Sequence, residues 1–164
     1  MTEFSSSNYS WLQTADAIHE TVTHANASAY IYWEMMWDEN STTALIRVDG
    51  SGNYIINNQY YALKHFAKYI DKGYKRIDVS SSDSLIKTSA FINPAADQIT
   101  AIVINNDVTS KNISLNLSGA NSVQNTAYRS TNGNYFQNIG TTDLGSPIAI
   151  PAQSITTFVH ADWS

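Results

Sequence analysis

Hydrophobic and polar positions along the chain follow two rhythms, and the change falls near residue 80. Within residues 10–26 the apolar side chains Trp11, Ala15, Ile18, Val22 and Ala25 recur at steps of three and four, the stripe of an amphipathic helix, with Asn8 or Ser10 placed to cap it. The run Ala29-Tyr30-Ile31-Tyr32-Trp33 is aromatic or apolar at every position. It is too short for a helix and predicts a strand buried on both faces, as in a parallel sheet. Residues 38–43 read as loop. Residues 44–48 and 54–56 flank Asp49-Gly50-Ser51-Gly52, the composition of a tight hairpin. A second helix over about 58–71 places Tyr61, Leu63, Phe66, Ala67 and Ile70 on its apolar side and stops at Gly73. After Ser80-Ser81-Ser82-Asp83 the period drops to two, and short strands are predicted over 85–92, 99–105, 112–117, 125–130 and 154–159. With no helical pattern between them, they point to an antiparallel sandwich.

The first part therefore reads strand-helix-strand-helix, provided Thr2-Glu3-Phe4 closes a strand. Two parallel strands cannot cover both faces or hide their edges, so this part is expected to belong to a larger sheet or barrel. At 164 residues the chain has no room for a complete (β/α)8 barrel of roughly 250. The expected fold class is α+β, with the last two βα units of such a barrel over residues 1–72 fused to an antiparallel side β-sandwich over 73–164.

Composition narrows the function classes. Charged residues are 14% of the chain, against about 25% in ordinary globular domains, and Ser, Thr and Asn supply nearly a third of it. Hydrophobic residues at 43% and aromatics at 12% exclude disorder as the overall class. Nine basic residues against 14 acidic ones argue against a nucleic-acid partner. Without cysteine there is no disulfide, thiolate metal site or cysteine nucleophile. No apolar run approaches the roughly 18 residues of a membrane span, and residues 1–10 lack the basic-then-apolar order of a signal peptide, so no membrane partner is expected. The Asn-x-Ser/Thr matches at Asn26, Asn40, Asn112 and Asn116 are what a composition rich in these residues yields by chance.

Candidate chemistry gathers where the two predicted strands end, at Glu3 and at Trp33-Glu34-Met35-Met36-Trp37. A carboxylate opposite an indole face is the minimum of a sugar site, the ring packing on the pyranose and the carboxylate meeting the oxocarbenium-like centre. On spacing alone the alternatives stay open. Glu3 also reads as a solvated terminal glutamate, Trp33 as core, Glu34 as a hydrogen-bonding neighbour and Trp37 as a loop anchor. Tyr9, just ahead of the first helix, joins Trp33, Glu34 and Trp37 as the expected substrate-binding set. His19 and His24 lie five apart and do not share the i, i+4 face of a helical zinc site, while His65 and His160 read as surface or interface residues. No metal and no cofactor are expected. There is no Gly-x-Ser-x-Gly turn and no glycine-rich phosphate loop.

The order Met1-Thr2-Glu3-Phe4, helix, Ala29-Tyr30-Ile31-Tyr32-Trp33, the helix with Tyr60-Tyr61-Ala62-Leu63-Lys64-His65-Phe66, then Gly73-Tyr74-Lys75-Arg76-Ile77 resembles the C-terminal part of glycoside hydrolase family 30, in its xylanase/glucuronoxylanase branch. The closing Pro151-Ala152-Gln153-Ser154-Ile155-Thr156-Thr157-Phe158 does so too, and the resemblance spans the chain. It implies a (β/α)8 barrel with a fused side β-sandwich, hydrolysing β-1,4-xylan or a related plant cell-wall polysaccharide with retention. It also implies a secreted enzyme, Glu3 as nucleophile at the end of the seventh strand, and Trp33 lining the sugar subsite at the end of the eighth. The family's acid/base, on the fourth strand, has no counterpart here, so the chain alone is expected to be inactive. In glucuronoxylan-specific members an arginine-containing loop follows the eighth strand; here Glu34-Met35-Met36-Trp37-Asp38-Glu39 is acidic, with Arg47 in the predicted hairpin, which implies relaxed or neutral-xylan specificity. Met1 coincides with a methionine that members can carry inside the seventh strand, so the chain is expected to start at an internal codon or to be a gene fragment. The missing barrel portion or self-association would then supply neighbours for the strand edges. The alternative is a non-catalytic carbohydrate-binding or interaction module built on Tyr128, Tyr135, Phe136 and Trp163.

Overall fold

The computed structural model describes residues 4–117, 124–143 and 145–161. They group into two compact units, Met1–Leu63 and Lys64–Ser164. In the first, helix α1 (Trp11–Thr23) begins with a capping box: Ser10 Oγ accepts from the Gln13 backbone N–H at 3.2 Å, and Gln13 Oε1 accepts from that of Ser10 at 2.9 Å. Trp11, Ala15 and Ile18 are buried as the stripe requires. The helix stops three residues short of the expected end. The Thr21 and Thr23 hydroxyls donate back to the Ala17 and His19 carbonyls at 2.7 Å each, and Asn26 turns left-handed with φ 49°.

Strands β1 (Met36–Asp38), β2 (Ile46–Val48) and β3 (Tyr54–Ile56) form one sheet, β1 parallel to β2 and β2 antiparallel to β3. The hairpin turns on Asp49, whose carboxylate accepts from the Asn53 side chain at 2.8 Å and from the Ser51 and Asn53 backbone N–H groups at 2.9 Å. These bonds, that of the Asn53 side chain foremost, hold its carboxyl below the usual range. Two expectations need correction. Met36–Asp38, read as loop, is a strand because β2 pairs with its backbone. The run 29–33, read as a strand buried on both faces, forms one parallel bridge among the described residues, from Tyr32 to Phe4, and Ile31 and Trp33 are exposed.

Helix α2 (Asn58–Ala67) crosses the division between the units and ends before the predicted residue 71. At Gly73 φ is +96°, and a Cβ there would lie 3.2 Å from Pro94 Cγ, so glycine suits the turn on two counts. The second unit adds β4 (Lys75–Ile77), β5 (Ile86–Ile92), β6 (Gln98–Asn105), β7 (Lys111–Ile113), β8 (Gln124–Thr131), β9 (Asn134–Asp143), β10 (Ile148–Ile150) and β11 (Ser154–Ala161). One sheet runs β4-β5-β6-β11-β8-β9, all antiparallel, and β10 pairs with β7 in a smaller one. Phe158 sits between Ala101 and Ala127 in register and packs with Ile86, Val103, Ile148 and Ile150 into a core between the two sheets. Arg129 links them, donating to Thr156 Oγ1 at 3.1 Å and to the Ala149 carbonyl at 2.8 Å. The described chain is thus mostly β, with two helices.

The opposite face of the large sheet holds His65, read as a surface or interface residue, which is fully buried. Its Nδ1 lies 2.7 Å from Thr157 Oγ1 and its Nε2 2.7 Å from Ser130 Oγ. Thr157 Oγ1 spends its proton on the His65 carbonyl and Ser130 Oγ accepts from the Phe136 N–H. The network closes with a neutral ring, protonated on Nδ1. Burial, with the nearby Lys64 charge, pushes the imidazole down to about 3. His160 is buried as well, its Nδ1 2.9 Å from the Gln124 carbonyl.

Candidate functional site

The predicted site residues fall in the first unit. Glu3, the expected nucleophile, lies outside the described residues. Its neighbour Phe4 fixes the local direction of the chain: the Phe4 N–H donates to the Ile31 carbonyl at 2.9 Å, and the Trp33 N–H donates to the Phe4 carbonyl at 3.2 Å. That parallel pairing sets Trp33 one residue beyond the bridge, with 53% of its surface exposed. The Trp33–Glu34 peptide is cis.

Past it, the Leu45 N–H donates to the Glu34 carbonyl and the Ile46 N–H to that of Met35, both at 2.9 Å, which leads the chain into β1 beside β2. The Glu34 carboxylate accepts from Ser41 Oγ at 3.3 Å, and that same oxygen accepts the Thr43 and Ala44 N–H groups. Glu34 is therefore tied to the turn that returns the chain to β2. Trp37 is 57% exposed and in register with Arg47. The Arg47 guanidinium is engaged, donating to Asn57 Oδ1 and to the Glu39 carbonyl at 3.2 Å each. Tyr9 packs its ring on Phe4 at 5.7 Å between centroids, and its carbonyl accepts from the Gln59 side chain at 2.9 Å.

Sequence reasoning assigned no role to Tyr30 and Tyr32, although their alternation with Ile31 and Trp33 was the available signal. The Tyr32 hydroxyl donates to the Thr43 carbonyl at 3.0 Å. The Tyr30 hydroxyl is buried with no hydrogen-bond partner among the described residues. Burial, followed by Tyr32 and Tyr9, pushes Tyr30 up to about 12, and burial raises Tyr32, so both remain protonated donors at neutral pH. The segment presents the exposed rings of Trp33 and Trp37, on which sugar faces can stack, and the Glu34 carboxylate, which can accept hydrogen bonds from sugar hydroxyls.

The aromatics of the alternative binding module are differently placed. Tyr128 and Phe136 stack on one another at 5.2 Å, Tyr69 lies 5.1 Å from Tyr128, and Lys64 Nζ sits 4.7 Å over Phe136. Their faces are spent on each other, and Trp163 lies outside the described residues. His19 and His24, set aside as ligands on helix-face counting, come together with Glu20: a ligand atom of each lies within 4.8 Å of the others.

Residues 73–158, just over half of the chain, match the glycosyl hydrolase family 30 beta sandwich domain. The chain belongs to this family. It is 24% identical over 152 residues to the glucuronoxylanase XynC of Bacillus subtilis, covering 90% of this chain and 34% of that protein. Among solved structures it is similar to a GH30 endoxylanase from Clostridium papyrosolvens C71, with a TM-score of 0.81 and 25% identity over 98% of this chain and 41% of that one. It is also similar to the catalytic domain of GH30 xylanase C from Talaromyces cellulolyticus, with a TM-score of 0.79 and 26% identity over 98% and 40% of the two chains. The chain spans about a third of the length of the curated relatives it matches.

Proposed function

We propose that this chain is the C-terminal part of a retaining glycoside hydrolase acting on β-1,4-xylan or a related plant cell-wall polysaccharide. Residues 1–72 contribute the last two βα units of its barrel and residues 73–164 its side sandwich. The observation that carries the reading is the parallel pairing of Phe4 with Tyr32, next to an exposed Trp33, in a chain whose second unit carries the family's sandwich. On this reading Glu3 attacks the anomeric carbon as the glycosidic bond breaks, and an acid elsewhere in the barrel protonates the leaving oxygen. Water, activated by the same group, then hydrolyses the glycosyl–enzyme. Trp33 and Trp37 floor the sugar subsites, with Glu34 and Tyr9 beside them. Secretion accords with a polymeric substrate, and a structurally similar protein of Bacteroides fragilis is described as exported.

The acidic Glu34–Glu39 segment and the engaged Arg47 support neutral over uronate-decorated xylan. The test is reconstitution: the purified chain alone releases no reducing sugar, and fusion to the N-terminal two thirds of the Bacillus subtilis relative restores xylan hydrolysis that Glu3→Gln abolishes. Hydrolysis by the chain alone, or by the Glu3→Gln fusion at the unsubstituted rate, overturns the assignment.

A further inference from the structure

We propose that His19, Glu20 and His24, at the C-terminal end of α1, form a zinc-type metal site that clasps the helix end, separate from the sugar-binding segment. In a regular α-helix positions five apart point about 140° away from each other. Here the turn widens: the N–H groups of both His24 and Ala25 donate to the Glu20 carbonyl at 3.0 Å, and that of Ala27 donates to the Thr21 carbonyl at 3.0 Å. The two imidazoles swing to the same side, with ring centroids 6.1 Å apart, and Glu20 Oε2 lies 2.7 Å from His24 Nδ1.

His19 is buried, at 5% exposure, which fixes one donor in place, whereas the side chains of Glu20 and His24 are 46% and 72% exposed. Ligand atoms around a tetrahedral zinc lie about 3.3 Å apart, given bonds of about 2.0–2.2 Å. The widest separation of 4.8 Å must close and the 2.7 Å pair must open, both by rotation of exposed side chains. Two nitrogens and one oxygen form a donor set for zinc, nickel or copper, not for calcium or magnesium, which take oxygen shells. With three protein ligands, water completes the tetrahedron. Metal binding requires deprotonated ligands, so affinity falls as pH drops.

The test is zinc titration of the full chain at neutral pH against a fluorescent chelator, with Co2+ absorption as a second readout. The expected result is one zinc per chain at micromolar affinity and the visible d–d bands of four-coordinate cobalt. His24→Ala and Glu20→Gln should each weaken binding by about tenfold or more. Because His19 is buried, the two exposed positions carry the test, with circular dichroism matching the unsubstituted chain. Zinc binding only at millimolar concentration, or equal affinity in the His24→Ala chain, overturns the site; neither result bears on Glu3.

Discussion

In the Lys64–Ser164 unit Phe158, Ile102, Ile104, Ile150 and Ile155 are each exposed by 1% or less, whereas in Met1–Leu63 Trp33, Met35, Met36, Trp37 and Ile55 each show more than half of their surface. Both units draw on the same kinds of side chain; what differs is the number of layers. Two sheets facing each other close a core between them, and the neutral, fully bonded His65 fills the other face of the larger sheet without an unpaired charge. Among the described residues, a three-stranded sheet and the Phe4–Tyr32 bridge leave apolar surface open. Open apolar surface concentrated in one segment marks a site or an interface, which is what the proposed barrel piece requires.

This contrast can be broken or sharpened by substitution. The largest effect is expected at Phe158, where truncation to alanine removes the centre of the sandwich core and should cost about 3–5 kcal/mol in urea unfolding. A loss under about 1 kcal/mol would mean that the two sheets do not share a dry core.

Next comes His65. Its folded value is lowered from 6.5 to about 3, so as the pH falls the unfolded chain takes up the proton first. The stability this neutral ring contributes is complete above pH 6.5 and is lost between 6.5 and about 3, at roughly 1.4 kcal/mol per pH unit. His65→Gln should flatten that dependence relative to the unsubstituted chain, and an unchanged slope would place the acid sensitivity elsewhere.

Ser10→Ala, which removes half of the α1 capping box, should cost about 1 kcal/mol, read as faster amide exchange in that helix. At the small end, Trp33→Ala should change stability by no more than about 0.5 kcal/mol because the ring is exposed, while xylan affinity of the reconstituted enzyme falls.

Elements specified by neighbouring residues were legible in the sequence: the α1 N-cap at Asn8 or Ser10, which the structure places at Ser10, the Asp49-Gly50-Ser51-Gly52 hairpin, and the alternating β5, β6, β8 and β11. What escaped depends on distant partners. Strand β9, Asn134–Asp143, is an edge with no apolar alternation, and it forms because β8 offers it a ladder. The burial of His65, read as a surface or interface residue, was hidden because Ser130 and Thr157, which satisfy it, lie 65 and 92 positions away. The run 29–33 has the composition of an interior strand, but burial depends on the neighbours present, not on the strand's own residues. The His19–His24 pairing was hidden because face counting assumes that the α-turn continues to its last residue.

At the proposed site, strand-end logic pointed to Trp33, Glu34 and Trp37 but left their core and loop-anchor readings open, while the buried Tyr30 hydroxyl was assigned no role from the sequence. The most direct measurement of the account is trapping of the covalent intermediate. A xyloside with fluorine at C2 and a good leaving group is incubated with the reconstituted enzyme, and the label is located by peptide mass spectrometry. The account predicts one glycosyl adduct per chain, on the peptide that contains Glu3, and none in Glu3→Gln. An adduct on any other carboxylate would contradict it.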